Sequence, residues 1–141
     1  FYLEQETITK FHLPEWLRGC NRIGRPHWLA LQELSRTGLS IDLVKSYNIE
    51  MISFKTLCDR YNITSIGQLK IDTEGYEHMI LPEVYEEITN GLNIQSIIFE
   101  YHPSMGHTAI LDELSFNIEQ LGYVKSWLTS VDIKLDKIGT L

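Results

Sequence analysis

Two short polar segments follow apolar runs in the sequence, and both contain side chains that can move protons. Asp72 and Glu74 come directly after one apolar run, and Glu100 and His102 come after another. Carboxylates and imidazoles are the usual general acids and bases of enzymes. In open α/β sheets, ligands bind beyond the C-terminal ends of the strands. We therefore predict that Asp72 and Glu74 are catalytic and that Glu100 and His102 bind substrate.

Each of these residues also has a purely structural interpretation. Asp72 would cap the following helix, and Glu74 would lie near the positive end of that helix. Glu100 and His102 would then belong to a surface turn. A divalent ion held by Asp72 and Glu74 is a further catalytic alternative, although no metal site is predicted. The next charged residues of the helix, at positions 77 and 78, are predicted to lie on a solvated face.

A loop rich in large side chains precedes these segments. Residues 13–28 contain two Pro, two Gly, two Trp and three Arg, which is typical of an ordered loop, and we predict a substrate-side loop over residues 12–28. Aromatic faces and guanidinium forks suit an anionic or sugar-like acceptor. The predicted substrate-binding residues of this loop are Trp16, Arg18, Asn21, Arg25 and His27. The alternative is a covering loop that packs its two Trp side chains on the core.

Helix and strand patterns alternate along the chain. Apolar residues recur three and four positions apart in the predicted helices, which cover residues 29–37, 53–61, 75–91 and 109–121. Short apolar or β-branched runs predict strands over residues 49–52, 65–72, 94–101, 124–128 and 131–135. This alternation predicts an α/β fold: a mostly parallel sheet with helices on both faces and an antiparallel edge. The length of 141 residues fits a single domain, 1–141.

Composition argues against several classes of partner. The chain has 12 Lys and Arg against 19 Asp and Glu, a net charge of -7, and no nucleic acid is predicted as a partner. Its apolar runs are far shorter than the ~20 residues that span a bilayer, so no membrane is predicted either. Cys20 and Cys58 are isolated and lack the spacing of metal ligands. They predict reduced thiols and a cytoplasmic location.

Residues 69–77, with the sequence LKIDTEGYE, resemble the acidic motif of the FkbM methyltransferases: lysine, apolar, Asp, any residue, Glu, Gly, any residue, Glu. Residues 51–57 and 97–100 are similar to the segments that flank this motif. The resemblance implies a Rossmann-like fold and S-adenosylmethionine as cofactor. It also implies methyl transfer to an oxygen or nitrogen of a small molecule or glycan, with Asp72 or Glu74 removing a proton from the acceptor.

The loop before the motif also resembles a segment found in part of this family. In that segment Asn-Lys usually precedes the Pro-His pair and Pro follows it. This chain instead has Gly24 and Arg25 before Pro26, and Trp28 after His27. The departure leaves the acceptor open.

The part of the family pattern that holds the cofactor is not recognisable before Asp72. A fold of this kind uses a glycine-rich loop after its first strand and an acidic residue after its second. The chain begins with Phe1, inside a patterned segment. We therefore expect a longer parent protein, with its first βα units outside this chain, and cofactor-binding residues stay unknown. The alternative function is a non-catalytic α/β remnant that acts as a binding or assembly module.

We expect the isolated chain to self-associate. A sheet without its first βα units would expose an apolar strand edge, and such edges pair with other chains. Sedimentation velocity over a dilution series should detect species heavier than the monomer. Monodisperse monomers at every concentration would contradict this expectation.

Overall fold

The computed structural model describes residues 1–103 and 106–139. The chain divides into two compact units, Phe1–Glu50 and Met51–Leu141. The single domain expected from the chain length stays a prediction. Within the described residues, no helix has the length and apolar character needed to cross a membrane.

The first unit consists of short elements around a small apolar core. Its strands, Tyr2–Leu3 (β1) and Val44–Lys45 (β2), pair antiparallel. Its α-helices are Gln5–Lys10 (α1) and Trp28–Arg36 (α2), and single 3-10 turns cover Glu15–Gly19 and Ile41–Leu43. The buried core residues of this unit are Leu3, Ile8, Leu13, Leu17, Cys20, Ala30 and Leu34.

Helix α2 confirms the prediction made from its periodicity. Ala30 and Leu34, one helical turn apart, are both buried. The helix ends at Arg36, and Gly38 then adopts a φ of 71°, in the left-handed region that favours glycine. The end of the helix was therefore readable from the sequence.

Among its described residues, the second unit contains three helices and a four-stranded sheet. Its helices are Phe54–Tyr61 (α3), Glu77–Thr89 (α4) and Thr108–Glu119 (α5). Its strands are Ser65–Ile71 (β3), Asn93–Glu100 (β4), Tyr123–Trp127 (β5) and Asp132–Lys137 (β6). All these elements lie where periodicity predicted them, and no end is shifted by more than two residues.

The strand order is β3-β4-β6-β5, and the sheet is mixed. The β3–β4 pair is parallel, whereas β6 pairs antiparallel with both β4 and β5. The prediction of a mostly parallel sheet is thus only partly right: β3, β4 and β5 share one direction, but only one pair of the described strands is parallel. The cause is the hairpin after β5, which turns β6 back between β4 and β5. The predicted antiparallel edge is confirmed.

The three helices of this unit form one layer, because α4 contacts both α3 and α5. Helices on both faces of the sheet were predicted, and the described part of this unit forms one such layer. Both crossovers, β3-α4-β4 and β4-α5-β5, move along the sheet in the same direction, so right-handed connections place their helices on the same side. On the opposite side of the sheet from Ile97 and Phe99, Lys70 and Lys134 both pair with Ile98.

The predicted strand over residues 49–52 is wrong. These residues pair with no strand in the described structure, and Ile49 and Met51 are 52% and 61% exposed. A β-branched run becomes a strand only where a neighbour offers backbone partners. The adjoining prediction is confirmed, since the Ser53 side chain accepts a hydrogen bond from Thr56 N and caps α3.

The central strands β4 and β6 supply the core of the second unit. Ile97, Phe99, Ile133 and Leu135 are each 0% exposed and belong to one apolar cluster with the inner faces of the helices. Burial of this kind is the main force that holds the sheet against its helices.

We predict that Phe99→Ala lowers the free energy of unfolding by about 3–5 kcal/mol, because it removes a fully buried ring and leaves a cavity. Urea titration followed by circular dichroism measures the change. The matched control is Phe116→Ala on α5, whose side chain is 59% exposed and should change stability by less than about 1 kcal/mol. Equal losses in the two variants would show that this core is wrongly assigned.

Candidate active site

The parallel pairing of β3 and β4 brings three acidic residues to one edge of the sheet. Ile71 pairs with Phe99, so Asp72 and Glu100 lie at the same level where the two strands end. Glu74 reaches the same place from the turn that follows β3. One carboxylate oxygen from each of Asp72, Glu74 and Glu100 lies within 4.8 Å of the other two. The structure thus brings together the acidic residues that the sequence singled out.

The turn between β3 and α4 has an unusual backbone. Glu74 adopts a φ of 55° and Gly75 a φ of 101°. Glycine accepts such a φ without strain, but a residue with a Cβ pays about 1–2 kcal/mol in the left-handed region. Backbone strain of this kind is concentrated at functional sites.

Glu77, at the first position of α4, closes this turn. Its Oε1 accepts hydrogen bonds from Thr73 N at 2.7 Å and Thr73 Oγ1 at 2.8 Å, and its Oε2 accepts one from Gly75 N at 3.0 Å. The residue is 3% exposed. The prediction of a solvated face is therefore wrong for Glu77, because the turn folds back over the start of the helix and supplies three donors.

His78 is also less exposed than predicted. Its ring is half-buried, with Nδ1 2.9 Å from the carbonyl oxygen of Gly75. The ring stacks on His107, with 3.6 Å between the centroids. His78 thus contacts the same turn as Glu77, from the next position of the helix.

Burial and neighbouring negative charge raise the pKa of Glu74 to about 7. Loss of hydration is the largest cause, followed by the charges of Glu100 and Asp72. His102 opposes the shift, and Glu77 adds to it weakly. A carboxyl group with this pKa exchanges protons near neutral pH, as a general base must.

Glu100 and His102 form a pair at the end of β4. His102 Nε2 lies 2.7 Å from Glu100 Oε1. Burial raises the pKa of Glu100, although its hydrogen bond with His102 acts in the opposite direction. The second oxygen, Glu100 Oε2, is buried and has no hydrogen-bond partner among the described residues. It is therefore an acceptor that a bound donor group would satisfy.

Asp72 does not cap α4, which was its role in the structural alternative. Its Oδ2 is 2.9 Å from Lys70 Nζ, and the amides of the turn are bonded by Glu77 instead. The carboxylate of Asp72 raises the pKa of Lys70 through this hydrogen bond. Three carboxylates this close can hold a hard divalent cation. Because exposed acidic groups commonly cluster without one, the cluster alone assigns no metal.

The predicted substrate-side loop belongs to the first unit, where Leu13, Leu17 and Cys20 anchor it in the core. The covering-loop alternative is wrong in detail, since its two tryptophans, Trp16 and Trp28, are 50% and 45% exposed.

The remaining predicted residues of this loop have different environments. Arg18 pairs with Glu15 at the surface, and Asn21 and Arg25 are exposed. His27 is only 2% exposed, and its Nδ1 accepts a hydrogen bond from Leu29 N at 3.2 Å, which caps α2. A structural role for His27 is thus visible, while the exposed side chains can reach a ligand.

Trp16 also lines an open groove of about 530 Å³ beside α2. The other lining residues are Leu29, Gln32, Glu33, Ser35 and Arg36. Arg36 donates two hydrogen bonds to the carboxylate of Glu33, so its charge is largely satisfied within the groove. Of the predicted loop residues, Trp16 alone is among those that line it.

We predict that Glu74→Gln stabilises the chain above pH 7. The folded state binds the proton of Glu74 more tightly than the unfolded state, with pKa about 7 against 4.5, so ionisation between these values costs stability as the pH rises. Removing the charge should recover about 1–2 kcal/mol at pH 8, after allowance for solvent screening, and almost nothing below pH 4.5.

Urea unfolding of both proteins at pH 4 and pH 8 measures the difference. Glu86→Gln, which removes an exposed carboxylate from α4, is the control and should change little at either pH. An equal effect of Glu74→Gln at the two pH values would contradict the electrostatic strain inferred for the site.

Comparison with known proteins assigns the chain to a family. A family model described as the methyltransferase FkbM domain matches residues 7–125, which is most of the chain. A search of curated proteins and a search of solved structures give no match. The acidic edge does not fit the carboxylate end of S-adenosylmethionine, since like charges repel, and the cofactor residues stay unassigned. The family match confirms the resemblance first detected in residues 69–77: this chain belongs to the FkbM methyltransferase family.

Proposed function

We propose that the chain supplies the acceptor side of an S-adenosylmethionine-dependent methyl transfer, with Glu74 as the general base. Membership of a methyltransferase family indicates methyl transfer in general. The acceptor is an oxygen or nitrogen of a small molecule or glycan. The longer parent protein carries out the whole reaction.

The position of Glu74 is the observation that carries this proposal. Glu74 lies at the C-terminal edge of the parallel strands, beside two other carboxylates, and its pKa is raised to about 7. Ligands of α/β folds bind at this edge. A base with this pKa is ionised in a substantial fraction of molecules at neutral pH and still holds the proton it receives.

The reaction requires one proton transfer from the acceptor. S-adenosylmethionine, when bound, supplies a methyl group on a positively charged sulfur. The acceptor oxygen or nitrogen would form its bond to that methyl carbon as the bond to sulfur breaks, and the acceptor proton would pass to the carboxylate of Glu74. Asp72 and Glu100 keep the pKa of Glu74 high through their charge. Orientation of the acceptor supplies much of the rate.

Glu100 and His102 are proposed to bind the acceptor next to the base. The buried oxygen Glu100 Oε2 lacks a partner among the described residues and would accept a hydrogen bond from a second hydroxyl or amine of the acceptor. His102, held at 2.7 Å from Glu100 Oε1, fixes the orientation of that carboxylate. A polyhydroxylated acceptor satisfies both Glu74 and Glu100.

We propose that the exposed side chains of the loop in the first unit bind an anionic or sugar-like ligand. Trp16 offers an exposed aromatic face to a sugar ring, while Asn21 and Arg25 offer exposed donors.

For the location of the protein we propose the cytoplasm. Cys20 and Cys58 are buried thiols in separate core clusters, which supports a reducing compartment.

We predict that Glu74→Gln lowers kcat at least 100-fold, because the amide cannot take the proton, and that Asp72→Asn lowers it about 10-fold by reducing the pKa of Glu74. In the unsubstituted protein, kcat/KM should rise with pH and level off above a pKa of about 7, since kcat/KM reports the ionisation of the free enzyme. The assay follows transfer of radioactive methyl from S-adenosylmethionine by the longer protein to a panel of methyl glycosides and small alcohols.

Glu86→Gln is the control and should retain full activity, since Glu86 is exposed on α4. Unchanged transfer in both Glu74→Gln and Asp72→Asn would exclude the proposed base. Absence of transfer to any acceptor, together with failure to bind S-adenosylmethionine in calorimetry, would favour the non-catalytic binding or assembly module.

A further inference from the structure

We propose that Glu77 is the positioning residue of this site: its buried carboxylate holds the turn at residues 73–75 closed and thereby keeps Glu74 beside Asp72 and Glu100. This role of Glu77 rests on the proposed function, because the role of Glu74 as the general base is taken from it. It concerns a residue that the sequence had indicated to be solvated.

The contacts of Glu77 span the turn from both sides of Glu74. Thr73 donates to Oε1 through its backbone N and its hydroxyl, and Gly75 N donates to Oε2. Both oxygens of one carboxylate are therefore used by the residues that immediately precede and follow Glu74. Moving the Glu74 backbone away from the start of α4 would therefore strain these bonds.

The hydrogen bonds also compensate for an unfavourable backbone. Glu74 adopts a φ of 55°, which residues with a Cβ rarely adopt. Hydrogen bonds to a charged acceptor are shorter and stronger than those between neutral groups. Because Glu77 receives three of them while 3% exposed, it can outweigh the strain at Glu74 and prevent the turn from relaxing. His78 Nδ1, 2.9 Å from Gly75 O, restrains the same turn from outside.

A glutamine at position 77 would preserve the shape but not the function of the carboxylate. Its amide has one acceptor oxygen, so one of the two groups of donors would face an NH₂ group instead. An unsatisfied buried amide then favours opening of the turn. Loss of the negative charge and greater hydration of Glu74 both lower its pKa towards the ordinary range.

Glu77→Gln in the full chain tests the proposal, with Glu83→Gln as the matched control. Glu83 is also on α4, and its carboxylate also accepts a backbone hydrogen bond, from Phe54 N at the start of α3. It thus matches Glu77 in chemistry and helix but does not contact the acidic turn. If the two variants lose similar thermal stability, a difference between them at residues 73–75 is a local effect on the turn and not a result of overall destabilisation.

Amide exchange by NMR measures whether the turn opens, and the titration of the Glu74 carboxyl group measures whether its surroundings change. In Glu77→Gln we expect the Thr73 and Gly75 amides to exchange at least 10-fold faster and Glu74 to titrate at lower pH. In Glu83→Gln both should remain unchanged. In the methyl-transfer assay, kcat of Glu77→Gln should fall roughly 10- to 100-fold with little change in KM.

Slow exchange at both amides and an unchanged Glu74 titration in Glu77→Gln would overturn the positioning role. If Glu77→Gln does not fold, Thr73→Val decides, since it removes one donor and keeps the volume: a smaller shift of the Glu74 titration in the same direction supports the proposal, and no shift overturns it. These measurements need no acceptor. Failure of the proposed methyl transfer would therefore appear separately, as absence of activity with an intact, correctly titrating turn.

Discussion

The parallel pairing of β3 with β4 is the constraint on which the acidic site depends. Ile71 and Phe99 are partners in this pair, and both are buried on the side of the helices. A slip of one residue would turn an apolar side chain outward and a polar one inward, so burial fixes the register. With the register fixed, Asp72 and Glu100 must emerge side by side. The burial of apolar side chains thus determines where these two carboxylates lie.

This arrangement opposes stability locally. Carboxylates near one another and partly out of water raise the pKa of Glu74 and make its ionisation costly, and the backbone of the same residue is strained. The cost is offset by the core around β4 and β6 and by the hydrogen bonds of Glu77. The proposed role of Glu74 as a base would use the raised pKa that this arrangement produces.

The topology of the sheet places this site away from the antiparallel edge. The hairpin that follows β5 inserts β6 between β4 and β5, so β3 and β4 form the only parallel pair among the described strands. Their C-terminal ends are therefore the one place in the described sheet where two adjacent strands end together in polar residues. Sequence periodicity placed β6 correctly but could not give its position in the order, because the apolar residues Ile133 and Leu135 suit a central or an edge position equally.

Local patterns were enough to place the helices and strands of the second unit, the caps at Ser53 and Gly38, the family motif and the meeting of the acidic strand ends. Each of these depends on residues near in sequence or on a simple rule for parallel strands. Three facts came only from the tertiary structure: the burial of Glu77, the capping role of His27 and the raised pKa of Glu74. The physical reason is that desolvation of a polar group depends on which distant segments cover it, and helical periodicity alone reads a charged residue as exposed.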